Sequence, residues 1–363
     1  MICIAACFEP MAPSKNYFHQ LDALRGIACI MVLFHHLVPG ASSHIALGPL
    51  GVRLFFVMTG FLLVGNLLQQ KERRQAPITI FNVFYQKRSI RILPVYFLAF
   101  GALCLAGVES AKAVWPWIAT FTINLHMGLT GEWPGNLSHY WFLATSEQMV
   151  LALSLILLWL PGRYLVPALM LLFLGAAAHR WLGTAWGLDP MLIWFSPISS
   201  LDSIALGALL GLFYRKDKES IARTACKPWV GALAWLMLVL GTLIRMRFSE
   251  TALIHFAETL EALFFGWLIL RAAIGFSGTV EWLLTLPLLV YTGMISYALY
   301  IFHPILHSFV MWAFEKAGLP STPENLGVIV AAFSVSFLAA TLSWYLMEKP
   351  LASLKPKSSP TKG

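Results

Sequence analysis

The stretch RGIACIMVLFHH, residues 25–36, begins with an arginine, ends with two histidines and is apolar between them. The apolar middle is typical of a membrane helix, where ionisable side chains are costly because hydrocarbon offers them no hydrogen-bond partners. Such residues usually face a cavity or a partner rather than lipid. The stretch therefore predicts a transmembrane helix with one polar face.

The composition of the whole chain also indicates a membrane protein with many spans. Of its 363 residues, 58% are hydrophobic and 12% are charged, whereas a soluble domain has about 45–50% apolar and about 25% charged residues. A span needs about 20 mostly apolar residues, and this window predicts ten of them. They are 22–40, 48–68, 90–108, 139–160, 164–182, 190–214, 229–246, 252–276, 286–312 and 326–348. The predicted fold class is an all-α integral membrane protein with about ten transmembrane helices, plus a re-entrant or interfacial piece at 114–127.

Lys and Arg residues are distributed unevenly between the two sides of this predicted bundle. With the N terminus in the cytoplasm, 18 of the 25 fall on the cytoplasmic side, while Arg25 and Arg53 stay within spans. The five on the other side are Lys112, Arg180, Arg245, Arg247 and Lys316. Cytoplasmic loops of membrane proteins carry this excess of positive charge. Both termini are therefore expected to be cytoplasmic, in a multi-pass protein of the cell (inner or plasma) membrane. The same bias explains the net charge of +8, so no nucleic-acid partner is expected.

The domain organisation predicted from this pattern has three parts. Residues 1–16 are expected to form an N-terminal extension, 17–354 one transmembrane domain, and 355–363 a disordered cytoplasmic tail, because the last stretch is short and polar. The five cysteines show neither metal-ligand nor disulfide spacing. No metal is therefore expected.

Arg25 and His36 share one face of the predicted first helix. At about 100° per residue, eleven residues bring His36 to about 20° from Arg25 and about 16 Å further along the axis. Asp22 can pair with Arg25 on the adjacent turn, whereas His35 points about 100° away. A helix–helix hydrogen bond would explain a lone buried histidine. The shared face instead favours a lined cavity, in which a neutral imidazole accepts a proton from a hydroxyl.

A second candidate site lies in YQKRSIRILPVYF, residues 85–97. Arg88 and Arg91 are three residues apart, so their guanidinium groups are expected to be neighbours at the cytoplasmic mouth of the third span. Two adjacent guanidinium groups suit a diphosphate or a 3′-phosphate, since Arg binds phosphate through paired hydrogen bonds. On the arginines alone, ordinary anchoring at lipid head groups is the stronger interpretation.

Further ionisable residues occur at several depths of the predicted spans and indicate a polar tunnel across the bilayer. His303 lies about 17 residues into the ninth span, which sets it at a depth close to that of His36. Glu348, at the end of the last helix, is expected to be a structural anchor or cap. The others are Arg53, Glu147, Asp202, Glu258, Glu261 and His307.

Taken in order, these motifs resemble the membrane-bound acyltransferase 3 family, which includes polysaccharide O-acetyltransferases of bacterial envelopes. The resemblance covers about residues 17–354, and Arg25 and His36 match the family's arginine and histidine separated by ten residues. The matching elements are LDALRGIACIMVLFHH, GVRLFFVMTGFLL (with Thr59 where Ser is usual), RSIRILPVYF, FSPISSLDSIALGALL, and ISYALYIFHPIL followed by EKPL. One element departs: where the family often has WSL-x-x-E-E-Q-F-Y, this chain has WFLATSEQMV, with Ser146 at the first acid and Glu147 at the second.

The resemblance implies transfer of an acyl group, commonly acetyl, from an acyl-CoA to a hydroxyl, usually on a sugar. On this hypothesis Arg88 and Arg91 bind the phosphates of the acyl-CoA from the cytoplasm, and Arg25 organises the donor. His36 acts as general base or as transient acyl carrier. Two further catalytic candidates are His303 and, as a substitute for the lost acid, Glu147.

The expected partners are acyl-CoA, most commonly acetyl-CoA, the lipid bilayer, and a carbohydrate or other hydroxyl acceptor. That acceptor would be an envelope glycan, a lipid-linked sugar or an exported metabolite. The alternative function is a proton-coupled transporter or exporter, in which the same acids and histidines form a proton relay. The paired arginines have no role in such a transporter, and the sequence has no detectable internal repeat, so the enzyme is favoured.

Overall fold

The computed structural model describes residues 18–40, 46–248 and 254–354, and within these ranges the chain is built from helices without a β-strand. The α-helices are α1 (His19–Leu37), α2 (Leu47–Glu72), α3 (Pro77–Leu105), α4 (Glu109–Ala119), α5 (Ile123–Thr130), α6 (Tyr140–Trp159), α7 (Gly162–Ala185), α8 (Pro190–Phe195), α9 (Leu201–Lys216), α10 (Lys218–Ala225), α11 (Pro228–Arg247), α12 (Ile254–Ile274), α13 (Gly278–Leu284), α14 (Pro287–Lys316), α15 (Leu326–Ser343) and α16 (Lys349–Ala352). The predictions for 1–16 and 355–363 lie outside the described residues.

The prediction of an all-α membrane protein is confirmed. In the described part of the chain, eight helices are long and apolar enough to cross a membrane, and nine if α12 and α13, which meet at 91°, form one bent span. α1 is not among them, because Asp22, Arg25 and three histidines lower the hydropathy of its 19 residues. Within the described residues, each predicted span nevertheless overlaps at least one helix.

Helix α3 begins earlier than predicted. It starts at Pro77 rather than near residue 90, and proline suits the first position of a helix because no intrahelical partner is needed for its missing N–H. Arg88 therefore lies about 16 Å along the helix axis from this start. That Arg88 and Arg91 lie at the cytoplasmic mouth of the span stays a prediction.

Two other stretches are broken where one element was expected. The predicted sixth span, 190–214, divides into α8, a 3₁₀ turn at Pro197–Ser200, and α9. Pro197 cannot donate the hydrogen bond that would continue α8, and the side chain of Ser196 caps the turn instead. The predicted re-entrant or interfacial piece forms α4 and α5, separated by a turn in which Phe121 has a φ of 54°.

Helices α1 and α14 run in the same direction, and their backbones approach very closely near the start of each helix. A Cβ on Gly26 would overlap the carbonyl of Leu289, and a Cβ on Gly293 would overlap the carbonyl of Asp22. Glycine at both positions lets the backbones touch. Further along, the thiol of Cys29 donates to the Ser296 carbonyl at 3.5 Å. This fixed register brings His36 opposite His303.

The bundle has two ends, named here from α1. At the proximal end, where α1 begins, Gln20 exchanges hydrogen bonds of 2.8 and 3.1 Å with the backbone of Phe276, between α12 and α13. Because successive long helices run in opposite directions, α2 also ends at the proximal end. There Lys71, near the end of α2, donates to the Leu157 carbonyl of α6 at 3.0 Å. The distal end is where α1 finishes, at His36.

Candidate active site

His36 and His303 form a hydrogen-bonded pair near the distal end. His36 lies on the last turn of α1 and is exposed, whereas His303, within α14, is fully buried. His36 Nδ1 is 2.7 Å from His303 Nε2, and His303 Nδ1 is 2.7 Å from the Tyr300 carbonyl oxygen. The structure therefore brings together the two histidines that the sequence predicted at similar depth.

This chain of contacts assigns the hydrogens on both rings when they are neutral. A carbonyl oxygen can only accept, so His303 Nδ1 carries the hydrogen and donates it to Tyr300. The lone pair of His303 Nε2 then accepts the hydrogen of His36 Nδ1. His36 Nε2 is left with a free lone pair, which is the form a general base requires.

His36 borders a cavity of about 400 Å³, which we call the distal cavity. Tyr300 lies beside the histidine, and the lining combines charged and aromatic side chains. Its charged residues are Arg53, Arg180 and Glu258, and its tryptophans are Trp133, Trp141 and Trp194. The exposure of His36 is thus exposure to a cavity with polar groups, as a catalytic base needs.

A buried charge network underlies this cavity. Arg53 Nη2 lies 3.2 Å from Glu258 Oε1, and Arg180 Nη2 lies 2.7 Å from Asp202 Oδ2. Arg180 also lies 3.4 Å from Glu258 and donates through Nη1 to the Ser199 carbonyl. Burying these charges is tolerable only because each meets a partner.

Two more residues extend the network away from the cavity. Arg245 binds Glu261 through two hydrogen bonds of 3.0 and 2.8 Å, and Glu261 lies 3.6 Å from Arg53. Three guanidinium groups and three carboxylates therefore balance.

The sequence predicted the three acids and Arg53 as buried ionisable residues but assigned Arg180 and Arg245 to the non-cytoplasmic surface. Arg180, 1% exposed, could have been found from its position inside the predicted span 164–182.

Arg88 and Glu147 pair with each other rather than joining the two histidines. Arg88 Nε lies 3.0 and 2.8 Å from the two carboxylate oxygens, and Nη2 lies 2.5 Å from Oε1. Glu147 is about 10 Å from the distal start of α6, so the pair lies inside the bundle. It borders a second cavity of about 260 Å³ that is also lined by Tyr85 and Gln148. A predicted donor-binding residue and a predicted catalytic acid thus neutralise each other.

Arg91 and Arg25 belong to a group of charged residues nearer the proximal end that also contains Asp22 and Glu348. Arg25 pairs with Asp22 at 2.7 Å, as expected from their spacing. Arg91 is exposed and lies within electrostatic range of Arg25, Asp22 and Glu348. It forms no ion pair or hydrogen bond with any residue in the described ranges. Arg91 is therefore the arginine of the predicted pair whose guanidinium is open to a ligand.

No cluster of three or more His, Cys, Asp or Glu residues that could hold a metal ion occurs in the part of the chain that the structure describes. The ionisable residues instead pair as His–His or Arg–carboxylate. The chemistry that this arrangement offers is proton transfer at the distal end and anion binding towards the proximal end.

Comparison with known proteins identifies the family. Residues 18–348 match the family model of the acyltransferase domain of the acyltransferase 3 type. Because the match covers most of the chain, the chain belongs to this family of acyltransferases, and the resemblance seen in the sequence motifs is confirmed.

Similar proteins include three bacterial relatives. An inferred O-acetyltransferase of Staphylococcus aureus (strain COL) is 24% identical over 92% of this chain and 57% of its own length. The peptidoglycan O-acetyltransferase OatA of Listeria monocytogenes (serovar 1/2a, strain EGD-e) is 21% identical over 93% and 56%. The O-acetyltransferase OatA of Staphylococcus aureus (strain NCTC 8325) is 23% identical over 93% and 58%. The chain thus spans little more than half the length of these curated relatives, and no solved structure matches it.

Proposed function

We propose that this protein is an integral-membrane O-acyltransferase of the cell membrane. It would move an acyl group, most commonly acetyl, from cytoplasmic acyl-CoA to a hydroxyl of an envelope glycan, a lipid-linked sugar or an exported metabolite. The observation that carries the proposal is the His36–His303 pair, because it leaves a basic nitrogen on His36, which borders a cavity lined by charged and aromatic side chains. Family membership and the O-acetyltransferase relatives support the same reaction.

The proposal orients the proximal end towards the cytoplasm. The excess of Lys and Arg in the loops at this end supports the orientation. Acyl-CoA then meets Arg91 and Arg25, whose guanidinium groups suit its phosphates. The acyl-pantetheine arm is on the order of 15–20 Å long, which matches the axial separation of about 16 Å between Arg25 and His36.

His36 performs the proton transfers in this scheme. Acyl-CoA supplies the acyl group as a thioester. His36 Nε2 takes the proton of the acceptor hydroxyl while the oxygen forms a bond to the acyl carbon. As the carbon–sulfur bond breaks, the imidazolium returns the proton to the leaving sulfur, so the histidine ends as it began.

His303 acts as a positioning residue for His36. Its Nε2 accepts from His36 Nδ1, and this bond strengthens when His36 becomes positively charged. The Tyr300 carbonyl fixes His303 in turn. Arg88 and Glu147 hold each other inside the bundle, so the proposal gives them the role of positioning the acyl-pantetheine arm rather than of proton transfer.

Binding of acetyl-CoA to the purified protein tests the donor side. A charge-assisted hydrogen bond contributes about 1.5–3 kcal/mol, so Arg91→Gln is expected to raise the Kd of acetyl-CoA by about 10–150-fold. Arg73→Gln, which changes an exposed arginine in the loop after α2, is the control and should leave the Kd within about twofold. Absence of binding to the unmodified protein would instead favour the transporter, and an unchanged Kd in Arg91→Gln would remove Arg91 from the donor site.

A further inference from the structure

We propose that Pro304 and His139 are positioning residues for the candidate base His36. Pro304 frees a backbone carbonyl that fixes the ring of His303, and His139 holds the same turn of α14 from the side. The inference rests on the proposed function, because it names the residues that keep His36 in the form of a base.

Pro304 lies inside α14 and interrupts its backbone hydrogen bonding. In an α-helix the N–H of residue 304 would donate to the carbonyl of residue 300, and proline has no N–H. Tyr300 is buried, and a buried carbonyl without a donor is unfavourable. His303 Nδ1 lies 2.7 Å from this carbonyl oxygen and supplies the missing hydrogen. The proline therefore leaves open the acceptor that His303 uses.

His139 lies immediately before α6 and donates to the next carbonyl of α14. His139 Nε2 is 3.0 Å from the Ile301 carbonyl oxygen, and because a carbonyl can only accept, this nitrogen carries the hydrogen. The ring of His139 stands edge-to-face with that of His303, with centroids 5.6 Å apart. Both rings are buried. His139 thus limits the movement of the ring that the Tyr300 carbonyl orients.

A third hydrogen bond closes the arrangement. The hydroxyl of Tyr300 donates to the His139 carbonyl oxygen at 2.9 Å, so Tyr300 is held through both its side chain and its backbone. Prolines are tolerated in membrane helices where neighbouring groups satisfy the freed carbonyls. In this chain the group that does so is the imidazole of His303, which also bonds to His36. A local interruption of the helix is thereby linked to the candidate base.

The Tyr300 carbonyl decides which of two hydrogen arrangements the histidine pair adopts. With His303 Nδ1 donating to Tyr300, His303 Nε2 accepts from His36 Nδ1, and His36 Nε2 keeps its lone pair. If the N–H of a residue other than proline at position 304 occupied this carbonyl, His303 would be free to carry its hydrogen on Nε2 and donate to His36. The hydrogen of His36 would then lie on Nε2 and prevent uptake of a proton from the acceptor.

Acetyl transfer by the full chain in proteoliposomes tests the role of Pro304. Pro304→Ala returns a helix donor to α14, so its melting temperature should equal or exceed that of the unmodified protein. Its kcat should nevertheless fall by at least about threefold, the factor expected for one hydrogen bond, while the KM for acetyl-CoA stays within about twofold. Pro167→Ala, which removes a proline from inside α7, is the matched control and should keep kcat within about twofold.

Two variants test His139 in the same assay. His139→Leu leaves the Ile301 carbonyl without its side-chain donor and should also lower kcat by at least about threefold. His139→Gln places an amide N–H near the position of Nε2 and should recover at least about half of the rate. Ser138→Ala, at the neighbouring position, should keep kcat within about twofold.

Coupling to His303 separates positioning from a general structural effect. In the His303→Phe background, adding Pro304→Ala should lower kcat no further, because the residue through which it acts is already absent. A further loss of the same size in that background would overturn the proposal. So would a loss below about threefold in Pro304→Ala, or an equal loss in Pro167→Ala. A His139→Gln protein no more active than His139→Leu would remove His139 from it.

Nitrogen-15 NMR of the histidine-labelled protein reads the hydrogen positions without using acyl transfer. The signals of His303 are those that disappear in His303→Phe. In the unmodified protein, neutral His303 should carry its hydrogen on Nδ1, and Pro304→Ala should show both tautomers. A hydrogen on Nε2 in the unmodified protein would overturn the inference. The expected tautomer in a protein that transfers no acetyl group would instead contradict the proposed function and leave the role of Pro304 in fixing His303 standing.

Discussion

Replacing His303 tests whether a buried histidine positions the catalytic one. His303→Phe keeps an aromatic ring in α14 but removes the acceptor that lies 2.7 Å from His36 Nδ1. An unsatisfied buried N–H costs about 1–3 kcal/mol. If this cost falls on the transition state, where His36 is becoming charged, kcat drops by about 5–150-fold, since about 1.4 kcal/mol is a factor of ten. The KM for acetyl-CoA should change by less than about twofold, because the donor contacts lie elsewhere.

The assay is steady-state acetyl transfer by the protein in proteoliposomes, with the melting temperature measured for each variant. His303→Gln is the conservative variant, because its side-chain carbonyl can accept from His36 near the position of the lost Nε2, and it should recover much of the rate. His307→Phe, one turn further along α14, is the matched control and should keep most of the activity. A folded His303→Phe protein with kcat within twofold of the unmodified protein would refute the positioning role.

Two other predictions concern the stability of the bundle. Arg88→Met leaves the Glu147 carboxylate unpaired inside the bundle and should reduce the free energy of unfolding by about 3–5 kcal/mol, whereas the double variant Arg88→Met/Glu147→Met should recover most of this loss. Thermal unfolding in detergent measures the effect. Equal losses in the single and double variants would show that the ion pair is not the cause. Gly293→Ala pushes a Cβ into the carbonyl of Asp22 and should cost about 1–3 kcal/mol, while Gly101→Ala, with open space around it, should be neutral in the same assay.

Helical periodicity and charge bias could predict much of this molecule. The helical segments of the predicted spans, the face shared by Arg25 and His36, and the similar depth of His303 depend on spacing within single helices, which the sequence contains directly. Depth alone does not establish contact. The hydrogen bond between His36 and His303 requires α1 and α14 to be neighbours in one register, and that register depends on backbone contact at two glycines.

The sequence alone could not predict which side chains pair between helices that are distant along the chain. Arg88 was expected to bind a phosphate beside Arg91, but Glu147 of α6 pairs with its guanidinium group. Arg180 and Arg245 were expected at a surface because each lies near a helix end. Both instead form ion pairs with carboxylates of α9 and α12. No local sequence pattern shows that these helices are neighbours of the arginines.

The most direct test of the central claim is acetyl transfer by His36→Ala in proteoliposomes. Radiolabelled acetyl-CoA is supplied on the proximal side, a neutral disaccharide on the distal side, and the acetyl ester is measured on the sugar. General acid–base catalysis contributes about 10²–10⁴-fold, so His36→Ala should lose that factor in kcat while keeping its affinity for acetyl-CoA and its melting temperature. His35→Ala, on the neighbouring position of α1, should keep most of the rate. Transfer by His36→Ala at the rate of the unmodified protein would contradict the account.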